Sequence, residues 1–141
     1  MESPRAPKAR ILCTEDDQDA REMMIYLLRA AGYDVAWTDN PFDAIKRAKQ
    51  EAFDLFLVDN WLPGFSGEDL TREIRKFNRS TPILFYSGAA YDADKQRAFN
   101  AGAQGYLVKP EGVTAILGEV ARLIAEAKIA FPVATASPIT Q

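Results

Sequence analysis

The sequence predicts an α/β domain in which five parallel strands form one sheet and a helix follows each strand. Three observations predict it. Short apolar runs alternate with segments of helical periodicity five times over. The strand centres fall near residues 12, 35, 57, 84 and 107, steps of 22 to 27 residues that hold a strand, a turn and a crossover helix. The two middle runs, "DLFLVD" (54–59) and "PILFYS" (82–87), carry the continuous apolar character of strands covered on both faces.

Each element has its own warrant. "RILCT" (10–14) is the first strand. Ala20, Met23, Met24, Leu27, Leu28 and Ala31 then recur at helical spacing, and Gly32 stops the helix. "YDVAWT" (33–38) alternates as a strand does. Asn40 is a good N-cap with Pro41 at the first helical position, and Ala44, Ile45 and Ala48 line one face. Strand 54–59 precedes a helix marked by Leu70, Ile74 and Phe77. Strand 82–87 precedes a helix over 91–101 whose apolar face is thin: mainly Ala98 and Ala101, with Phe99 beside them. "GYLVK" (105–109) is the fifth strand. Val113, Ile116, Leu117, Val120, Leu123, Ile124 and Ala127 pattern a strong last helix despite Gly118. Right-handed crossovers and five strands favour a doubly wound, flavodoxin-like sheet of order 2-1-3-4-5. The domain is expected over residues 9–128, between a disordered N-terminus (1–8) and a C-terminal tail or linker stump (129–141).

Composition narrows the function. The chain has 141 residues, enough for one domain with its own core, and a net charge of −3, so no basic surface invites nucleic acid. No apolar run reaches the ~20 residues of a membrane span, and the N-terminus has no signal-peptide core, so a cytoplasmic protein is expected. The one cysteine, Cys13, lies in an apolar run and reads as a buried core residue. Histidine is absent, which excludes Ser-His-Asp and Cys-His catalysis and histidine-ligated metals.

The strand ends carry the chemistry. In a parallel sheet all C-terminal strand ends share one edge, and ligand sites collect there where the winding reverses. Glu15, Asp16 and Asp17 follow strand 1, Asp59 ends strand 3, Ser87 ends strand 4, and Lys109 ends strand 5. Taken singly, each has a plain reading as a helix cap, a turn hydroxyl or a surface lysine. Together, clustered carboxylates need a compensating cation, and Mg²⁺ suits an all-oxygen set. Mg²⁺ beside a carboxylate, a hydroxyl and a lysine is a phosphoryl-transfer site, in which a carboxylate can itself be the nucleophile. Asp59, central on the edge, is the candidate.

On these residues the chain resembles the receiver domain of bacterial two-component response regulators, of the stand-alone chemotaxis-regulator-like type or excised from a longer protein. "ILCTEDDQDAR" (11–21), "DLFLVDNWLPGFSG" (54–67), "PILFYSG" (82–88) and "GAQGYLVKP" (102–110) match its motifs in order and spacing. The resemblance implies a signalling protein rather than an enzyme, one that assists its own phosphorylation and dephosphorylation. It implies Asp59 as phosphoacceptor and Mg²⁺ held by Asp16 directly, Glu15 through water, Asp59 and the Trp61 backbone carbonyl. It further implies Ser87 and Lys109 as phosphoryl-binding groups, Tyr106 as an aromatic that turns inward when Ser87 is drawn to the phosphate, and a cis Lys109–Pro110 bond. The implied donor is a phosphohistidine on a sensor histidine kinase or histidine phosphotransfer protein. The implied output is a surface of helix 4, strand 5 and helix 5 that binds a downstream target or a second receiver copy, with no nucleic acid and no membrane.

Two departures stand out. Ser66 replaces a common Asp in the turn before Gly67, and "KPEGVT" lacks the usual apolar residue after the proline. In the family, the side chains two past the acceptor and two past the switch hydroxyl influence the water that attacks the phosphoryl group. Here they are Trp61, which has no carboxylate or amide to orient the water, and Ala89, which cannot bond it, so a long-lived phosphoryl group is expected. Three other readings share the fold or the strand-end Asp: a flavin carrier, an aspartyl-phosphate phosphatase, and a receiver-like binding module that works without phosphorylation. The acidic "TEDDQD" loop argues against the first, Trp61 in place of a second Asp against the next, and the full set of five polar residues against the last.

Overall fold

The computed structural model describes residues 8–131. Elements follow in the order β1 (Arg10–Thr14), α1 (Gln18–Ala30), β2 (Asp34–Thr38), α2 (Pro41–Gln50), β3 (Leu55–Val58), α3 (Gly67–Arg75), β4 (Ile83–Ser87), α4 (Asp92–Ala101), β5 (Gly105–Val108) and α5 (Val113–Ala130). All pairings are parallel and the sheet order is β2-β1-β3-β4-β5, as expected. The central strands β1, β3 and β4 are buried almost throughout, because helices cover both faces.

Two apolar clusters divide along the faces of the sheet. Ile11, Cys13, Leu55, Leu57 and Leu84 pack against Met24 and Leu28 of α1 and Ile116, Val120 and Leu123 of α5. Leu12, Phe56, Val58, Ile83 and Phe85 pack against α2, α3 and α4 through Ala44, Ala48, Leu70, Ile74 and Ala98. Alternate residues of one strand thus feed opposite layers.

The caps explain the boundaries. Asp17 caps α1, its carboxylate accepting from Ala20 N at 2.8 Å. Asn40 caps α2 in front of Pro41, accepting from Asp43 N at 2.8 Å. Ser66 and Asp69 close a reciprocal capping box on α3. The serine that departs from the family pattern thus has a local task.

Several expectations are corrected. Met23 is 67% exposed, and the buried stripe of α1 is Arg21, Met24, Ile25 and Leu28. The stripe runs i, i+3, i+4, i+7, rotated from the expected one, and an arginine rather than a methionine completes it. Phe77 lies past the end of α3 and is half-exposed beneath the Lys49 ammonium. Val113, the first residue of α5, is exposed. α5 runs to Ala130, two residues beyond the expected boundary, with Phe131 N bonded to Ala127 O at 2.8 Å. Lys8, expected to be disordered, donates its N–H to Gly32 O at 3.1 Å. The expectations for residues 1–7 and 132–141 fall outside the described residues. No described helix is long and apolar enough to cross a membrane.

Candidate phosphoacceptor site

The order β1-β3-β4-β5 brings the four polar strand ends side by side. β1 ends at Thr14 and delivers Glu15 and Asp16, while Asp59 N donates to Thr14 O at 3.2 Å and continues the β1–β3 ladder. One carboxylate oxygen from each of Glu15, Asp16 and Asp59 lies within 4.8 Å of the others. Glu15 and Asp59 are buried and Asp16 is exposed. Asp17 faces away as the α1 cap, so the acidic run splits into two site residues and one structural residue. The triad is an all-oxygen set with an open side, which fits a hard divalent cation that keeps part of its water shell.

Lys109 closes the site from β5. Its Nζ lies 2.6 Å from Glu15 Oε1 and 3.2 Å from Asp59 Oδ2. Burial works against this ammonium, but the two carboxylates outweigh it and hold its pKa above the ordinary lysine value. Burial pushes the Glu15 carboxyl up to about 7; Lys109 pulls it down, and Asp59 adds to the rise. Glu15 is thus easier to protonate than an ordinary glutamate. The Lys109–Pro110 peptide is cis.

The loop after β3 shapes the other side. Trp61 N donates to Asp59 Oδ1 at 3.3 Å. The Trp61 side chain is 63% exposed, yet its ring lies over Gly88: a Cβ there would stand 3.1 Å from Trp61 Cζ3. Gly67 permits a close backbone crossing that sequence reading missed. A Cβ at Gly67 would meet Asp59 O at 2.6 Å and Asn60 Cα at 2.9 Å, both backbone atoms that cannot swing aside. Gly67→Ala is expected to cost about 1–3 kcal/mol, measured by urea denaturation, and to slow phosphorylation by displacing Asp59.

Ser87 and Tyr106 are joined through one residue, Ala89. Ser87 is fully buried and its Oγ accepts from Ala89 N at 3.2 Å. Tyr106 donates its hydroxyl to Ala89 O at 2.6 Å and stacks on Phe85 with ring centroids 5.5 Å apart. These contacts hold Tyr106 partly buried against the core. Cys13 is buried below the site, and burial raises its thiol to about 12, which removes it as a nucleophile. Arg21, also missed, is buried and donates Nη1 to Glu15 O at 3.0 Å. Its place on the apolar stripe of α1 was the available signal.

Comparisons with known proteins agree with this geometry. A family model described as the response regulator receiver domain matches residues 11–121. The cell cycle transcriptional regulator CtrA of Caulobacter vibrioides is 34% identical over 101 residues, covering 72% of this chain and 44% of that protein. The chain spans about half the length or less of such curated relatives. The receiver domain of a sensor histidine kinase from Pseudomonas aeruginosa PAO1, solved with a magnesium ion coordinated in its active-site cleft, superposes with a TM-score of 0.78. It is 29% identical, and the match covers 83% of this chain and 98% of that one. Chemotaxis protein CheY4 of Vibrio cholerae superposes with a TM-score of 0.75 at 29% identity, covering 82% and 98%. Fold, strand-edge chemistry and family match converge, and the chain belongs to the response regulator receiver domain family.

Proposed function

We propose that Asp59 accepts a phosphoryl group from a phosphohistidine on a partner kinase or histidine phosphotransfer protein. The observation that carries this reading is the meeting of Asp59 with Glu15, Asp16 and Lys109 at one sheet edge. In the step, a carboxylate oxygen of Asp59 bonds to phosphorus while the P–N bond of the phosphohistidine breaks. The imidazole nitrogen leaves with the electron pair and takes a proton from water. Asp16, Asp59, Glu15 and the Trp61 carbonyl would hold Mg²⁺, which would supply charge neutralisation to the phosphoryl oxygens. Lys109 exchanges a carboxylate partner for a phosphoryl oxygen, and Ser87 donates its hydroxyl to another.

The added charge of about −1.5 to −2 is read by the loops after β3 and β4. Drawing Ser87 toward the phosphate strips Ala89 N of its acceptor, and Ala89 O is the anchor of Tyr106. The α4–β5–α5 surface is the natural output. α4 buries Ala98 alone along its length and is tied to the domain through Arg97–Glu68 at 3.2 Å and the Arg75 guanidinium on Gly102 O. A polar tether of this kind rearranges more cheaply than an apolar seam. The bound partner is a downstream protein or a second copy.

The test is incubation with Mg²⁺ and a small acyl phosphate, read by intact mass. One phosphoryl group is expected, labile to hydroxylamine as an acyl phosphate is; no mass gain with Mg²⁺ present overturns the reading. A second measurement concerns lifetime. Trp61 covers Gly88 beside the acceptor and offers no carboxylate or amide to orient water, so the phosphoryl group should be slow to hydrolyse. Trp61→Asn is expected to speed its decay roughly tenfold, about 1.4 kcal/mol off the barrier. Equal decay in the two proteins, or loss within seconds in the wild type, counts against that role.

A further inference from the structure

We infer that Arg21 is a positioning residue that fixes the peptide between the two carboxylates of the β1–α1 loop and so sets the affinity of the site for Mg²⁺. The inference rests on the reading of Glu15, Asp16 and Asp59 as the metal site. It starts from an oddity of α1: an arginine occupies the buried stripe of the helix, where an apolar residue belongs. A buried guanidinium is costly without partners, so its contacts show what holds it there.

Two contacts account for it. Nη1 donates to Glu15 O at 3.0 Å in a buried hydrogen bond. The guanidinium lies over the Trp37 ring, 4.4 Å from its centroid, which fixes the plane of the fork. Glu15 O belongs to the planar peptide unit that also contains Asp16 N. Holding that oxygen therefore orients the one rigid unit from which both carboxylate residues hang.

The neighbouring tethers complete the clamp. Glu15 N donates to Thr38 O at 3.1 Å, which ties the loop to β2 on its other side. Arg21 N donates to Asp17 O at 2.9 Å, so the clamp and the loop belong to the same first turn of α1. Trp37 and Thr38 are successive residues of β2. One edge strand thus holds Glu15 from both ends: directly at its N–H, and through Trp37 and Arg21 at its carbonyl. Without the guanidinium, that carbonyl loses a buried donor and the peptide is free to tilt, which parts the two carboxylates. Groups that orient metal ligands from behind matter to affinity by about tenfold or more.

The experiment is calorimetric titration of the full chain with Mg²⁺ alone. Arg21→Met keeps the apolar stem beside Trp37 and removes the donor; its Mg²⁺ affinity is expected to fall about tenfold. Arg21→Lys restores a cationic donor without the planar fork that stacks on Trp37, and its affinity is expected to fall between those of Arg21→Met and wild type. Ile74→Val, a mild cavity in the other core cluster, serves as a control for destabilisation and is expected to bind as wild type does. Arg21→Met binding within twofold of wild type overturns the inference, as does an equal loss in Ile74→Val or no recovery in Arg21→Lys. Should Arg21→Met fail to fold, Arg21→Lys is compared directly with wild type, and full loss of binding in a folded Arg21→Lys overturns the inference. Absence of Mg²⁺ binding in the wild type overturns the metal reading itself, a separate outcome.

Discussion

Asp59→Asn is expected to abolish phosphorylation by any donor while leaving the metal-free protein at least as stable as the wild type. The loss follows from chemistry, because an amide has no anionic oxygen to attack phosphorus. The stability follows from the neighbours. Glu15 retains its 2.6 Å bond to Lys109 when Asp59 is replaced, and the longer 3.2 Å contact of Lys109 is the one given up. In exchange, a carboxylate that pushes the Glu15 pKa upward is gone. A gain of about 1 kcal/mol at pH 8 is expected from removing that repulsion, measured by urea denaturation in EDTA. Residual phosphorylation of the variant would place the acceptor elsewhere. A large loss of stability would show Asp59 to be a structural partner of Lys109 first.

The metal-free protein is expected to lose stability as pH rises from about 5 to 8, against the usual behaviour of salt-bridged carboxylates. Burial raises the folded-state pKa of Glu15 to about 7 from an ordinary value of 4.5. A carboxyl raised in this way binds its proton more tightly folded than unfolded. Its contribution is complete below about 4.5 and vanishes as pH passes through about 7. Solvent screening and coupling to the Lys109 ammonium leave only part of that shift as stability, and a loss of about 1 kcal/mol is expected. Glu51 and Glu119, whose carboxyls their arginine partners hold low, act in the opposite sense but below this window. Saturating Mg²⁺ competes with the proton and flattens the slope, because the ion favours the ionised form. Denaturation curves at several pH values, with EDTA and with Mg²⁺, measure the effect. Glu15→Gln should remove the dependence in EDTA; a slope that survives in that variant assigns it to another group.

These two results bear on how much of the molecule could be read before its structure. The β-α rhythm shows every strand and helix in order, because apolar runs and helical spacing are local properties of the chain. The acidic loop, Asp59, Ser87 and Lys109 were visible as strand-end residues once the strand order was inferred. The three acids after β1 were not separable in sequence. Capping assigns Asp17 to the helix, while burial and the hydrogen bond to Lys109 single out Glu15. On α1 apolar spacing alone puts Met23 on the buried stripe, whereas Arg21 takes that place. A carbonyl and an indole hold its guanidinium there, and neither is visible in the local pattern.

The sequence by itself determined the fold class, the strand order and which residue types reach the functional edge, since periodicity, caps and right-handed crossovers depend on neighbours along the chain. Only the tertiary structure decided what those residues do to one another. Glu15 meets Lys109 across 94 residues of sequence, Gly67 lets α3 start against the backbone of Asp59, and Trp61 lies on Gly88. Charge, close approach and cover all depend on distance in space, and that distance is set by packing the whole sheet.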